Sequence, residues 1–109
     1  MRAAKRRVAV PDAFPALTRF LSGYLHEDFV LDYTTPEGAR DQFLKDANAK
    51  ERAAVADEFE RFLSASQRLS WTDVRAGFGA LGGAWAPKSR AALNAFARGF
   101  LAGPRRRVK

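Results

Sequence analysis

Apolar positions in this chain recur at spacings of three and four far more often than at two, and that period predicts helices. Phe14, Leu17, Leu21 and Tyr24/Leu25 form the first such face, over Asp12 to Leu25. Asp12 is placed to cap its start, Pro15 is tolerated in a first turn, and Gly23 weakens its end. From His26 to Thr35 the period breaks. Phe29, Leu31 and Tyr33 alternate with Val30 and Asp32, as in a short extended piece. A lone strand makes no sheet, so the segment reads as a loop that inserts aromatic side chains into the core. Thr35-Pro36-Glu37 then signals a helix start, with a cap, a proline at the first position and an acid at the positive end of the dipole. Ala39, Phe43 and Leu44 give that helix a short apolar face up to Lys45.

Asn48-Ala49-Lys50-Glu51 has the form of a capping box with Asn in place of Ser or Thr. The helix it opens, carrying Ala54, Val55, Phe59, Phe62 and Leu63, is the clearest amphipathic stretch of the chain. Ser70 to Asp73 repeats the start signal. Its helix presents Trp71, Val74, Phe78 and Leu81, is loosened by Gly77 and Gly79, and stops at Gly82-Gly83. A last helix runs from Pro87 to Leu101 on Leu93, Phe96, Phe100 and Leu101, and ends at Gly103-Pro104. The predicted fold is all-α: a compact bundle of about five short helices, with an aromatic loop after the first.

Composition supports one core. The 109 residues are 47% hydrophobic and include nine Phe, two Trp and two Tyr, enough bulk for a single domain. There is no cysteine, which excludes disulfides and zinc–thiolate sites. No apolar run approaches the ~20 residues of a bilayer span, and the basic start lacks the apolar stretch of a secretory signal. These features imply a cytoplasmic protein with no membrane association.

The net charge of +7 first suggests nucleic acid, but its distribution argues otherwise. Arg2, Lys5, Arg6 and Arg7 precede Val8, and Arg105, Arg106, Arg107 and Lys109 follow Pro104. Between Val8 and Pro104 there are 11 basic and 12 acidic residues. Residues 1–10 and 104–109 therefore read as basic, disordered tails on a near-neutral domain spanning 11–103. A small basic nucleic-acid-binding protein acting through those tails remains the alternative reading.

The residues offer little catalytic chemistry. The glycines Gly77, Gly79, Gly82 and Gly83 fit no phosphate-binding loop, and no zinc-binding histidine pair occurs. The single histidine, His26, stands beside Glu27 and Asp28. It reads as structural, its imidazole donating to a backbone carbonyl while Asp28 accepts backbone N–H groups in the turn. An enzyme using His26 as acid or base is the remaining catalytic reading, although a lone histidine lacks the partners catalysis demands. Asp57, Glu58 and Glu60 read as the solvated face of the strongest helix. Trp85, in the loop Gly82-Gly83-Ala84-Trp85-Ala86-Pro87, is placed either in the core or at a contact surface. No catalytic residue, metal ligand or cofactor site is expected.

The run Phe14-Pro15-Ala16-Leu17, followed by Phe20-Leu21-Ser22-Gly23-Tyr24-Leu25-His26-Glu27-Asp28-Phe29, resembles the opening of a family of contact-dependent growth inhibition (CDI) immunity proteins. Its members carry a short apolar helix and then an aromatic-rich G-Y-F-H-Q-D-W block. Asp32-Tyr33-Thr34-Thr35-Pro36-Glu37 and Phe43-Leu44 match the continuation, and Leu81 to Pro87 is similar to the step before the family's last helix. The resemblance covers Ala13 to Leu101. Leu25, Glu27 and Phe29 depart from the pattern by packing-conservative changes, and the basic tails fall outside it.

The resemblance implies a non-enzymatic bacterial protein that binds the C-terminal toxin domain delivered by a neighbouring cell, blocks it, and protects the producing cell. The motif residues Gly23, Tyr24, His26, Asp28, Phe29 and Tyr33 are then mainly structural. Tyr24, Glu27, Asp28, Asp32 and Trp85 are the candidate toxin-binding residues. Many such toxins are nucleases, for which an acidic surface is suited, and the near-neutral body does not by itself announce one.

Overall fold

The computed structural model describes residues 13–106, with side chains as far as Phe100. Six helices follow in order: α1 (Pro15–Tyr24), α2 (Phe29–Tyr33), α3 (Pro36–Asp46), α4 (Ala49–Ser66), α5 (Trp71–Ala80) and α6 (Arg90–Arg106). No strand occurs among the described residues. The fold is all-α, as the apolar period predicts.

Local signals set most helix starts. The Thr35 hydroxyl accepts from the Gly38 N–H at 3.0 Å and caps α3. Asn48 and Glu51 form a reciprocal capping box on α4, with bonds of 2.8 and 3.0 Å. Ser70 caps α5 through the Asp73 N–H. Ser89 does the same for α6 through the Ala92 N–H, so that helix starts at Arg90 and not at Pro87. Its backbone also continues past Gly103-Pro104 to Arg106. A proline in a final turn removes one N–H and disturbs one carbonyl near a helix end, where backbone groups are already short of partners.

Three further expectations turn out differently or fall outside the described residues. First, residues 29–33 are not a loop but the five-residue helix α2. So short a helix has no stability of its own. It exists because Phe29 and Tyr33, four residues apart on one face, pack against the core.

Second, Asp12, the expected cap of α1, lies outside the described residues. The capping position belongs to Phe14, whose side chain makes no cap bond. Third, Glu58 does not belong to a solvated face. It is buried, 7% exposed, and its Oε1 accepts from the Leu17 N–H at 2.8 Å. Leu17 is the third residue of α1, one of the positions whose N–H has no partner within the helix. Glu58, 41 residues away in sequence, supplies the missing cap. The carboxylate also meets the positive end of the α1 dipole.

α4 is the hub of the bundle and packs mainly against α1 and α6. Phe20, Phe59, Phe62, Phe96 and Phe100 are fully buried. Their rings meet largely edge-on or tilted, with Phe20 at 5.1 Å from both Phe43 and Phe100, and Phe59 at 5.4 Å from Phe100. Such buried rings each contribute roughly 1.5–3 kcal/mol. Arginines close the helix C-termini, where carbonyls lack partners. Arg52 donates to the Ala47 carbonyl at 2.6 Å behind α3, and Arg90 donates to those of Leu69 and Ser66 behind α4.

The connection from α5 to α6 turns at Gly82, whose φ of +123° excludes other residues without strain. Two residues on, the Ala84 N–H donates to the Leu25 carbonyl at 2.7 Å. This bond ties the loop to the end of α1. The tail expected over residues 1–10 lies outside the described residues, as do 107–109.

Candidate functional site

The corner where α1 turns into α2 and α3 gathers most of the residues singled out from the sequence. Tyr24, near the end of α1, is half-buried and stacks on Phe20 and on Tyr33 of α2, with centroids at 5.8 and 5.9 Å. Its hydroxyl donates to Asp46 Oδ2 at 2.8 Å. Burial pushes the phenol up to about 12, and the hydrogen bond to Asp46 reinforces the shift. Gly23 sits on the exposed side of α1, where a Cβ would meet open space, so sterics do not require glycine there.

His26 organises the turn, though not as expected. Its Nδ1 accepts from the Asp28 N–H at 3.1 Å, and its Nε2 faces Asp32 Oδ2 at 3.2 Å. With Nδ1 accepting, the ring proton is left for Nε2 and the Asp32 carboxylate. The Asp28 side chain makes no cap bond. Glu27, Asp28 and Asp32 are all exposed. Phe29 is the inward anchor of α2.

Trp85 does not join this corner through its ring. It is half-buried, 4.6 Å from Phe96 and 6.0 Å from Phe78. Only its loop reaches α1, through the Ala84 bond.

Two residues that the sequence reading passed over stand out at the same corner. Val30 and Leu31 are 57% and 82% exposed, the large exposed hydrophobics among the described residues. The 3.6-residue period, had it been applied to residues 29–33, turns them outward once Phe29 and Tyr33 face in. Directly after them, Thr34 adopts φ +70°, an uncommon conformation for a β-branched residue.

The near-neutral average also hides an asymmetry. Residues 26–51 hold seven acids and three bases, a net of −4, and all seven acids are exposed. Residues 52–100 hold four acids and seven bases, a net of +3. One of the three bases in the acidic stretch, Arg40, is drawn inward. It donates to the Phe96 carbonyl at 3.1 Å and pairs with Asp41.

A cleft of about 210 Å³ opens beside the corner, between α1, α3 and the start of α4, over Phe20, Phe43 and Val55. Tyr24, Asp46 and Glu51 stand at its edge. It falls below the ~300–1,000 Å³ of small-molecule sites. Among the described residues, no three His, Asp or Glu side chains lie together in a metal-holding group. What the corner offers is a shaped, charged outer surface.

The family model described as CdiI immunity protein matches residues 13–98, from the residue before Phe14 to well inside α6. The chain belongs to the CdiI immunity protein family. No curated protein and no solved structure matches it. In this CdiI immunity protein the matched span contains the whole acidic corner and the core that supports it, whereas both basic ends lie outside it.

Proposed function

We propose that this CdiI immunity protein binds the C-terminal toxin domain of its cognate CDI effector, one to one, and neutralises it by covering a surface the toxin needs. The observation that carries the reading is the family match over residues 13–98. The exposed carboxylates Glu27, Asp28 and Asp32 offer a negative face to a basic toxin, with Tyr24 as the neighbouring aromatic contact and Trp85 as a separate one on the α5–α6 loop. Complementary charge of this kind speeds encounter and selects the partner. A stable interface of this type buries about 1,600 Å² in total, far more than one corner supplies, so flanking parts of α3 and the α5–α6 loop would join it. The protein performs no chemistry in this scheme and meets its toxin in the cytoplasm. Among the described residues, no helix is long and apolar enough to cross a membrane.

The test is co-expression with the toxin domain encoded beside this chain. Growth is restored and the two proteins co-purify in equal amounts. Removing residues 1–7 leaves the rescue intact, whereas a nucleic-acid-binding protein acting through that segment would lose function. Failure of the full chain to rescue growth or to co-purify would sink the proposal.

A further inference from the structure

We infer that Val30 and Leu31 are the anchor of the toxin interface, and that the partner presents an apolar recess rimmed by Lys and Arg side chains. The inference rests on the toxin-binding reading and specifies which surface performs it. Large apolar side chains at 57% and 82% exposure gain by leaving water, in proportion to the apolar area covered. Most surface hydrophobics are isolated and need no explanation. This pair is adjacent, outward-facing and held rigid.

The rigidity has identifiable causes. Phe29 and Tyr33 fix the inner face of α2 against the core. Tyr24 stacks on Tyr33, and His26 bonds to the turn on one side and to Asp32 on the other. Thr34 closes the helix at φ +70°, its N–H bonded to the Val30 carbonyl at 3.0 Å. A β-branched residue in that region is strained and persists only where its surroundings hold it. Gly38 supports the turn from below, since a Cβ there would strike the Tyr33 carbonyl oxygen. A knob already fixed in place loses little conformational freedom on binding, which preserves affinity.

The charge around the knob selects its occupant. Glu27, Asp28 and Asp32 flank it, and Glu37 follows on α3, all of them exposed. Among these four, the one ion pair within the described residues is that of Asp32 with His26. A second copy of the chain would meet the knob through a two-fold contact, which places the same acids against one another. Like charges so juxtaposed disfavour that pairing. A cationic protein surface with an apolar centre satisfies both features at once.

The experiment measures binding of an inactive toxin domain, encoded beside this chain, to the parent protein and to the Val30→Ala/Leu31→Ala double variant. Both positions are exposed, so the thermal midpoint stays unchanged while affinity falls at least about 30-fold, the loss expected of a hot spot. Glu27→Gln/Asp28→Asn separately slows association and flattens its salt dependence. A double variant that binds within about threefold of the parent would overturn the anchor but leave toxin binding standing. A parent chain that binds no toxin would overturn both. Concentration-dependent dimerisation of the free chain, abolished by Leu31→Asp, would make a second copy the occupant and also overturn the inference.

Discussion

Replacing Glu58 tests whether α1 is held by a group from another helix. The carboxylate is 7% exposed and accepts from the Leu17 N–H at 2.8 Å. Pro15 has no N–H and the Phe14 side chain makes no cap bond, so among the described residues the α1 start has no local substitute. Glu58→Ala removes the acceptor, strands a buried N–H and deletes the charge facing the helix dipole. A hydrogen bond to a charged group contributes about 1.5–3 kcal/mol, and a partly buried charge at a helix end up to about 2 kcal/mol. These describe one contact and overlap. Releasing a carboxylate from its buried site offsets part of the loss. The net expectation is about 2 kcal/mol. Glu58→Gln keeps an oxygen at the same reach and loses only the charge, for about 1 kcal/mol.

At about 4 °C per kcal/mol for a domain of this size, the thermal midpoints fall by about 8 and 4 °C. Urea unfolding followed by circular dichroism supplies the free energies. Glu60→Ala, an exposed neighbour on α4, stays within about 0.5 kcal/mol and serves as control. The cross-helix cap is refuted if Glu58→Ala behaves like Glu60→Ala. Equal losses for Ala and Gln would locate the effect in the charge, whereas a Gln variant as stable as the parent would locate it in the acceptor oxygen and its packing.

Stability should decline in strongly alkaline solution because of Tyr24. Its folded pKa, about 12, lies above the ordinary value of 10.0, so the contribution is complete below pH 10 and disappears as pH rises toward 12. Tyr24→Phe flattens that part of the stability profile, and removes a late-titrating phenolate signal from the absorbance of the native protein. Asn48→Ala opens the capping box of α4 and costs about 1 kcal/mol in urea unfolding. The same change at exposed Asn94, in the middle of α6, leaves stability within about 0.5 kcal/mol.

The candidate site was legible where its signal was local. The block from Gly23 to Phe29 marks the corner, and the structure brings Tyr24, His26, Asp28 and Asp32 together there. Trp85 was harder to place because a loop sequence does not say which way an indole turns, and here it turns onto Phe96. Val30 and Leu31 were lost with α2 itself. Glu58 was misplaced on account of its charge, although Val55, Phe59 and Phe62 on the same helix already set its position on the inward face.

The sequence by itself determined the all-helical class, the starts of α3, α4 and α5, and the family, because caps and apolar periods act across about four residues and are written out in order. The tertiary structure alone decided that residues 29–33 coil into a helix and expose an apolar pair, and that α1 takes its cap from Glu58. Five residues cannot pay the entropy of helix nucleation without a core to pack on. Nor does anything near Leu17 in the chain point to a carboxylate 41 positions away; only the crossing of α1 and α4 brings the two together.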